Sequence, residues 1–322
     1  MKRGLGVLAG GMMLVAAVAA QALPLQTDRV GAGARWVAHV DVDKLKTTQC
    51  GRYLLDQLGK DEPNRKLLAF QAMFNFDPRK DVSSVTLYGS DNRPENTVTL
   101  VKGTFDTQRL ETLVRAGEGY EESKYGAHVV HSWIDRKHGD RRIFASIMAD
   151  GTVVLAGETS LGQALDVLDG KAPKAVAATF PGLTSDRQTA IFIASADLSG
   201  MTNVNPRAAV LSQASTAYLA LTESGDQIQA DIGLGAKTVE AATQIESVAR
   251  GLVAMATLGQ DQRPELAKLA GATTIVRTGL QVAVALRYPA ADLIAGFQQM
   301  AQRAPQGGAQ SGPGHAQPAA LQ

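Results

Sequence analysis

From Trp36 to Asp43 apolar and polar positions alternate: Trp36, Ala38, Val40 and Val42 fall on one side, Val37, His39 and Asp41 on the other. A period of two is that of a half-buried strand, and places His39 on its more polar face. Asp43 offers a helix start, and "CGRYLLDQL" continues as helix with Leu54 and Leu58 four apart. "NRKLLAFQAMF" (64–74) reads as a second short helix. Asp77-Pro78 signals a turn, and the strands "VTLYGS" and "TVTLVKG" flank the loop "DNRPEN" as a hairpin. Asp106 is an N-cap, with Phe105 and Leu110 placed as a hydrophobic staple. Three strands follow, "HVVHSWI", "RRIFASIM" and "TVVLAG", the last two joined by a tight turn at Asp150-Gly151. "SLGQALDVLDG" is a helix with Leu161, Ala164, Leu165 and Leu168 on one side and Gly170 at its C-terminal cap.

After "KAPKAVAATFPGLTSDR" (171–187), read as a linker, the order of elements starts again. "TAIFIASADLSGM" is a strand, and a hairpin turns at Ser224-Gly225-Asp226. A long helix carries Ile245, Ala249, Leu252, Val253 and Ala256 on its apolar face. Two strands meet near Thr278-Gly279, and a last helix has Leu293, Phe297 and Met300 on one side. The expected class is α+β: two similar units, residues 23–170 and 188–301, each a mainly antiparallel sheet with helices on one face. The repeated order suggests an internal duplication. Residues 302–322, rich in Gly, Pro, Gln and Ala, are expected to be disordered.

The first residues change the picture of compartment. Lys2 and Arg3, the uncharged run Leu5–Ala20 and the small-residue site Ala20-Gln21-Ala22 form the plan of a secretory signal peptide cleaved after Ala22. The alternative is that this segment is kept as a membrane anchor. Cleavage implies a periplasmic or secreted protein and takes the formal net charge from +1 to −1. That balance argues against nucleic acid as the partner, and no later stretch is apolar enough to span a bilayer. Cys50 is the single cysteine. Without an adjacent histidine or a CxxC it reads as a small buried residue.

Chemistry is densest in "HVVHSWIDRKHGDRR" (128–142). His128 and His131 are three apart on a strand, so they face opposite ways. His138, Asp135 and Asp140 belong to a solvated hairpin end, and no metal site is expected here. "GLGAKT" (233–238) lacks the GxxxxGK[ST] spacing of a phosphate loop, and "GAGAR" (31–35) is too short for a dinucleotide fingerprint. Glu118, Glu121 and Glu122 lie in a solvated segment. Trp36 and Trp133 read as core, and His315 lies in the tail. No catalytic, cofactor-binding or metal residue is expected, and the ligand-binding residues are open.

"FNFDPRKDVSSVTLYGS" (74–90), "TVTLVKGTFD" (97–106) and "GTVVLAGETSLGQALDVLDGK" (151–171) resemble uncharacterised exported bacterial proteins built from repeated α+β domains behind a signal peptide. The resemblance implies a shared fold and brings no active site with it. It agrees with an exported, non-enzymatic binding or scaffold protein with no cofactor. One alternative is a carrier of an apolar ligand such as a lipid in a groove between sheet and helices, suggested by "GLVAMATL" and "LLAFQAMF". Another is a hydrolase whose residues meet only in the fold.

Overall fold

The structure, a computed structural model, describes residues 24–58, 77–136, 139–184, 187, 190–199, 212–259 and 264–303. The expected signal peptide, the helix expected over 64–74, His138 and the tail from residue 304, His315 included, lie outside the described residues.

The strands are β1 (Trp36–Asp41), β2 (Val82–Gly89), β3 (Thr97–Gly103), β4 (Glu121–Tyr125), β5 (His128–Asp135), β6 (Arg141–Ile147), β7 (Thr152–Ala156), β8 (Phe192–Asp197), β9 (Ala214–Ser224), β10 (Gln227–Ala236), β11 (Thr273–Thr278) and β12 (Gln281–Pro289). The helices are α1 (Val42–Thr47), α2 (Gln49–Leu58), the single turn α3 (Pro78–Asp81), α4 (Thr107–Arg115), α5 (Glu158–Leu168), α6 (Val239–Leu258), α7 (Pro264–Gly271) and α8 (Ala290–Arg303). The class is α+β, as the patterning implies.

The strands of both units join in one sheet, in the order β11-β12-β10-β9-β8-β1-β2-β3-β7-β6-β5-β4. The first strand of each half pairs with the other, antiparallel, from Trp36 opposite Ala196 to Val40 opposite Phe192. Alone, β1 and β8 would each present an unpaired edge of backbone donors and acceptors; together they close it. Arg35 seals the end of this seam with a two-pronged bond to Asp197, 3.2 Å through Nε and 2.9 Å through Nη2. Outward from the seam, both flanks run in the same order, β1-β2-β3-β7-β6 and β8-β9-β10-β12-β11.

Several elements depart from the expected pattern. Asp41, and not Asp43, caps α1, accepting the Lys44 N–H at 2.8 Å, because β1 ends there. Asp197, at the end of β8, accepts the Ser199 N–H at 2.8 Å. The glutamate-rich stretch after α4 is not loop: Glu121 and Glu122 belong to β4, an edge strand that is exposed throughout and carries its charges outward. Such charges discourage edge-to-edge association and hide the strand from a hydrophobicity pattern. Within the 171–187 stretch the described residues 171–184 pack against the core. Ala175, Phe180 and Leu183 are buried in the core, and the Ala175 N–H bonds the Val30 carbonyl at 2.8 Å.

The alternation of β1 holds, but the side bearing His39 is the more buried one: Val37, His39 and Asp41 are buried, while Trp36, Ala38 and Val40 are half-buried. Register carries that side outward through Tyr88, Val98 and Leu100 to Val154, where Leu161 and Leu165 of α5 cover it. A smaller core joins Ala236 and Val282 to Ala241, Ala242 and Ile245 of α6. The apolar face expected of α6 is only partly covered, since Leu252 is 58% exposed. Phe297, on the side of α8 expected to pack, is also exposed.

Candidate functional site

The buried side of β1 and β2 turns polar toward one end. Strand register sets His39 opposite Thr86 and Thr86 opposite Leu100; the next row holds Asp41, Ser84, Lys102 and Thr152. Residues 24–30 cross this patch as a strap. Leu25 and Val30 are buried and anchor it, and a short 3-10 turn at Thr27–Arg29 lies between them. Beneath the strap is a pocket of about 240 Å³, lined by Pro24, Gln26 and Arg29 above and by the polar rows of the sheet below.

Ion pairs tie the strap to the floor. Arg29 Nη1 meets Asp150 Oδ2 at 3.0 Å, and Nη2 donates to Thr152 Oγ1 at 3.1 Å. Lys102 Nζ reaches the same Asp150 oxygen at 3.4 Å and bonds the Asp150 carbonyl. The Asp150-Gly151 turn read from the sequence is what places this carboxylate. Burial pushes the Asp150 carboxyl up, but hydrogen bonding from Thr152 and the charges of Arg29 and Lys102 outweigh it, bringing the group down to about 2. His39 is 3% exposed, and its Nδ1 shares a 2.8 Å hydrogen bond with Thr86 Oγ1.

The chain matches no family model and no curated protein. Among solved structures it is similar to TP0453. Crystal form III of that protein aligns with a TM-score of 0.49 at 11% identity, covering 87% of this chain and 99% of that one. Crystal form I aligns with a TM-score of 0.44 at 10% identity, covering 85% and 96%.

The histidines singled out by sequence part company. His128 Nε2 bonds Asp169 Oδ1, at the end of α5, at 2.9 Å. His131, 2% exposed, faces away from it. Its Nδ1 bonds the Tyr120 hydroxyl at 3.0 Å, and the two rings stack. Burial lowers the His131 imidazole below its ordinary value, opposed by Glu111 and Glu122. Asp140 is exposed and pairs with Arg136 at 3.5 Å, in a turn that its own positive φ helps to close. Glu118 pairs with Arg136 as well. Among the described residues, no three His, Cys, Asp or Glu side chains converge to hold a metal.

The remaining motifs have structural explanations. In "GLGAKT", Gly233 and Gly235 leave room for Tyr218 and Thr216 across the sheet, while Thr238 caps α6 through the Ala241 N–H at 3.1 Å. In "GAGAR", Gly31 bridges to Lys174 and Arg35 holds the central seam. Trp36 and Trp133 are half-buried and not fully core. Cys50 is partly buried.

Sequence reading did not single out Arg29, Ser84, Thr86, Lys102 or Thr152. A signal was present in "VSSVTLYG", where Ser84 and Thr86 share a side with Val82 and Tyr88. The match of that side to His39 depends on register between strands more than 40 residues apart.

Proposed function

We propose that the chain is an exported, non-enzymatic binding protein whose ligand site is the pocket beneath the strap. The observation that carries this reading is the convergence of Arg29, His39, Ser84, Thr86, Lys102 and Thr152 in one enclosure beside a hydrophobic core. Burying polar groups costs free energy unless they find partners, and a concave enclosure with a few convergent polar groups is the usual form of a small-ligand site. Export is supported by the basic, apolar and small-residue plan of residues 2–22. Native mass spectrometry on protein recovered from its own host tests the reading. It should reveal a bound small molecule that the pocket-filling substitution Ser84→Phe removes. The same protein should begin at Leu23. Identical ligand-free spectra for both chains would end the binding reading, and a chain beginning at Met1 in the cytoplasm would end the exported one.

A second reading, carriage of an apolar ligand, draws on the last turns of α6, where Leu252, Met255 and Leu258 are 58%, 63% and 86% exposed. These side chains point outward and do not line a groove between helix and sheet. Solvent extraction of the purified protein, followed by lipid mass spectrometry, distinguishes this from the first reading.

A further inference from the structure

We infer that the pocket beneath the strap takes a small organic oxyanion, a ligand bearing a carboxylate or a phosphate group. The inference rests on the pocket-binding reading above and names its ligand class. Two cations, Arg29 and Lys102, face one carboxylate, Asp150, so the described residues that line the pocket carry one positive charge in excess, while Asp41 in the same row is engaged at the α1 cap. Among the described lining residues Asp150 is the one carboxylate that opposes an anion, and both cations already lie against it.

The free hydrogen-bonding capacity is on the donor side. Arg29 spends one N–H on Asp150 and one on Thr152, and a guanidinium has further donors in the same plane. Thr152 Oγ1 accepts from Arg29 and its hydroxyl serves Asp150, so Arg29 carries the spare donors on this side. Ser84 lines the floor, and its hydroxyl has no hydrogen-bond partner among the described residues. A cationic ligand would meet Arg29 and Lys102 at close range. A neutral polyol would satisfy the hydroxyls and leave the excess charge unbalanced. An oxyanion does both tasks, and charge-assisted bonds from arginine and lysine are the strong ones. The volume, about 240 Å³, lies below the ~300 Å³ at which sites for drug-sized ligands begin, so the ligand is of metabolite size.

The test uses the chain from Leu23 onward with any tag at its C-terminus. Calorimetric titration is run with inorganic phosphate, glycerol 3-phosphate, acetate and succinate, and with glycerol and ethanolamine as neutral and cationic probes. Saturable binding of at least one oxyanion is expected; the phosphate and carboxylate arms show which group is preferred. Lys102→Gln and Arg29→Gln should each weaken it at least about tenfold, while Lys102→Arg retains most of it. Melting curves identify any variant that fails to fold, and Lys102→Gln is the milder of the two because Arg29 still neutralises Asp150. Binding of glycerol or ethanolamine in place of the oxyanions overturns the oxyanion inference and leaves the pocket-binding reading standing. Oxyanion binding indifferent to both substitutions also overturns it. Failure of every probe, with Ser84→Phe leaving the native mass spectrum unchanged, removes both.

Discussion

The Glu223 carboxylate caps the helix that begins beside Cys50: one oxygen accepts the Cys50 N–H at 3.0 Å and the other accepts the Gln49 N–H. The contact joins β9, in the second half of the chain, to α2 in the first. A carboxylate at a helix N-terminus satisfies orphan donors and complements the helix dipole. Burial and the Glu223 charge together push the Cys50 thiol up to about 12. Cys50 should therefore react sluggishly with maleimide near neutral pH. Glu223→Gln should speed labelling, and Glu223→Ala should cost about 1–2 kcal/mol of stability by denaturant melt. Labelling of the parent chain as fast as a free thiol would contradict this.

Asp150 should make the fold sensitive to acid. Its carboxyl sits at about 2 against an ordinary 3.8, so the unfolded chain binds the proton more readily. The stabilisation is complete above the unfolded value and is lost as pH falls toward about 2. Melting temperatures taken across that window should fall less steeply for Asp150→Asn than for the parent chain. Parallel curves would show that the strap's ion pairs contribute nothing.

His131 acts on a different window. Burial lowers its imidazole below the ordinary 6.5, so the unfolded chain again binds the proton first. Stability is full above the ordinary value and declines as pH drops through the lowered one. Glu111, Glu122, Arg115 and Tyr120 are the groups around it. The His131→Gln chain should show a flatter response as pH falls below the ordinary imidazole value of 6.5, and a slope equal to the parent's would refute the assignment.

Tyr218 fills space that two glycines leave open. A Cβ on Gly233 would lie 2.0 Å from its ring, and one on Gly182 would lie 2.2 Å away, with Gly182 also at φ +71°. Arg187 covers the ring at 4.4 Å and donates to the Gly182 carbonyl at 3.0 Å. Gly233→Ala should cost about 1–3 kcal/mol. Most of that cost should vanish in a Tyr218→Ala background, because the clash goes with the ring. For Gly182→Ala the backbone penalty should remain there. Additive costs at Gly233 would show that the ring is not the obstacle.

Local chemistry was legible and register was not. The Asp106 cap is where the spacing put it, accepting the Arg109 N–H at 3.1 Å, and Gly170 follows α5 at φ +74°. The hairpin turns at Asp150-Gly151, Gly225 and Gly279 announced themselves through residues that tolerate positive φ. The strand β4 was hidden by its charges and the short helix α7 by its length. The pocket was hidden for another reason. Its lining residues are ordinary Ser, Thr, Lys and Arg until pairing brings β1, β2, β3 and β7 side by side and the strap comes over them. Alternation gives each strand two sides, but which side is buried depends on what covers it. That is why the polar side bearing His39 is also the buried one.

The seam between β1 and β8 also bears on heredity. One core takes Val37 from the first half and Phe180, Ile193 and Ala220 from beyond it, so the seam lies within a shared core. A gene fragment for either half would encode an open edge and part of a core. Recombination that moved one half alone would carry that open edge with it, and a substitution at the seam touches both halves at once.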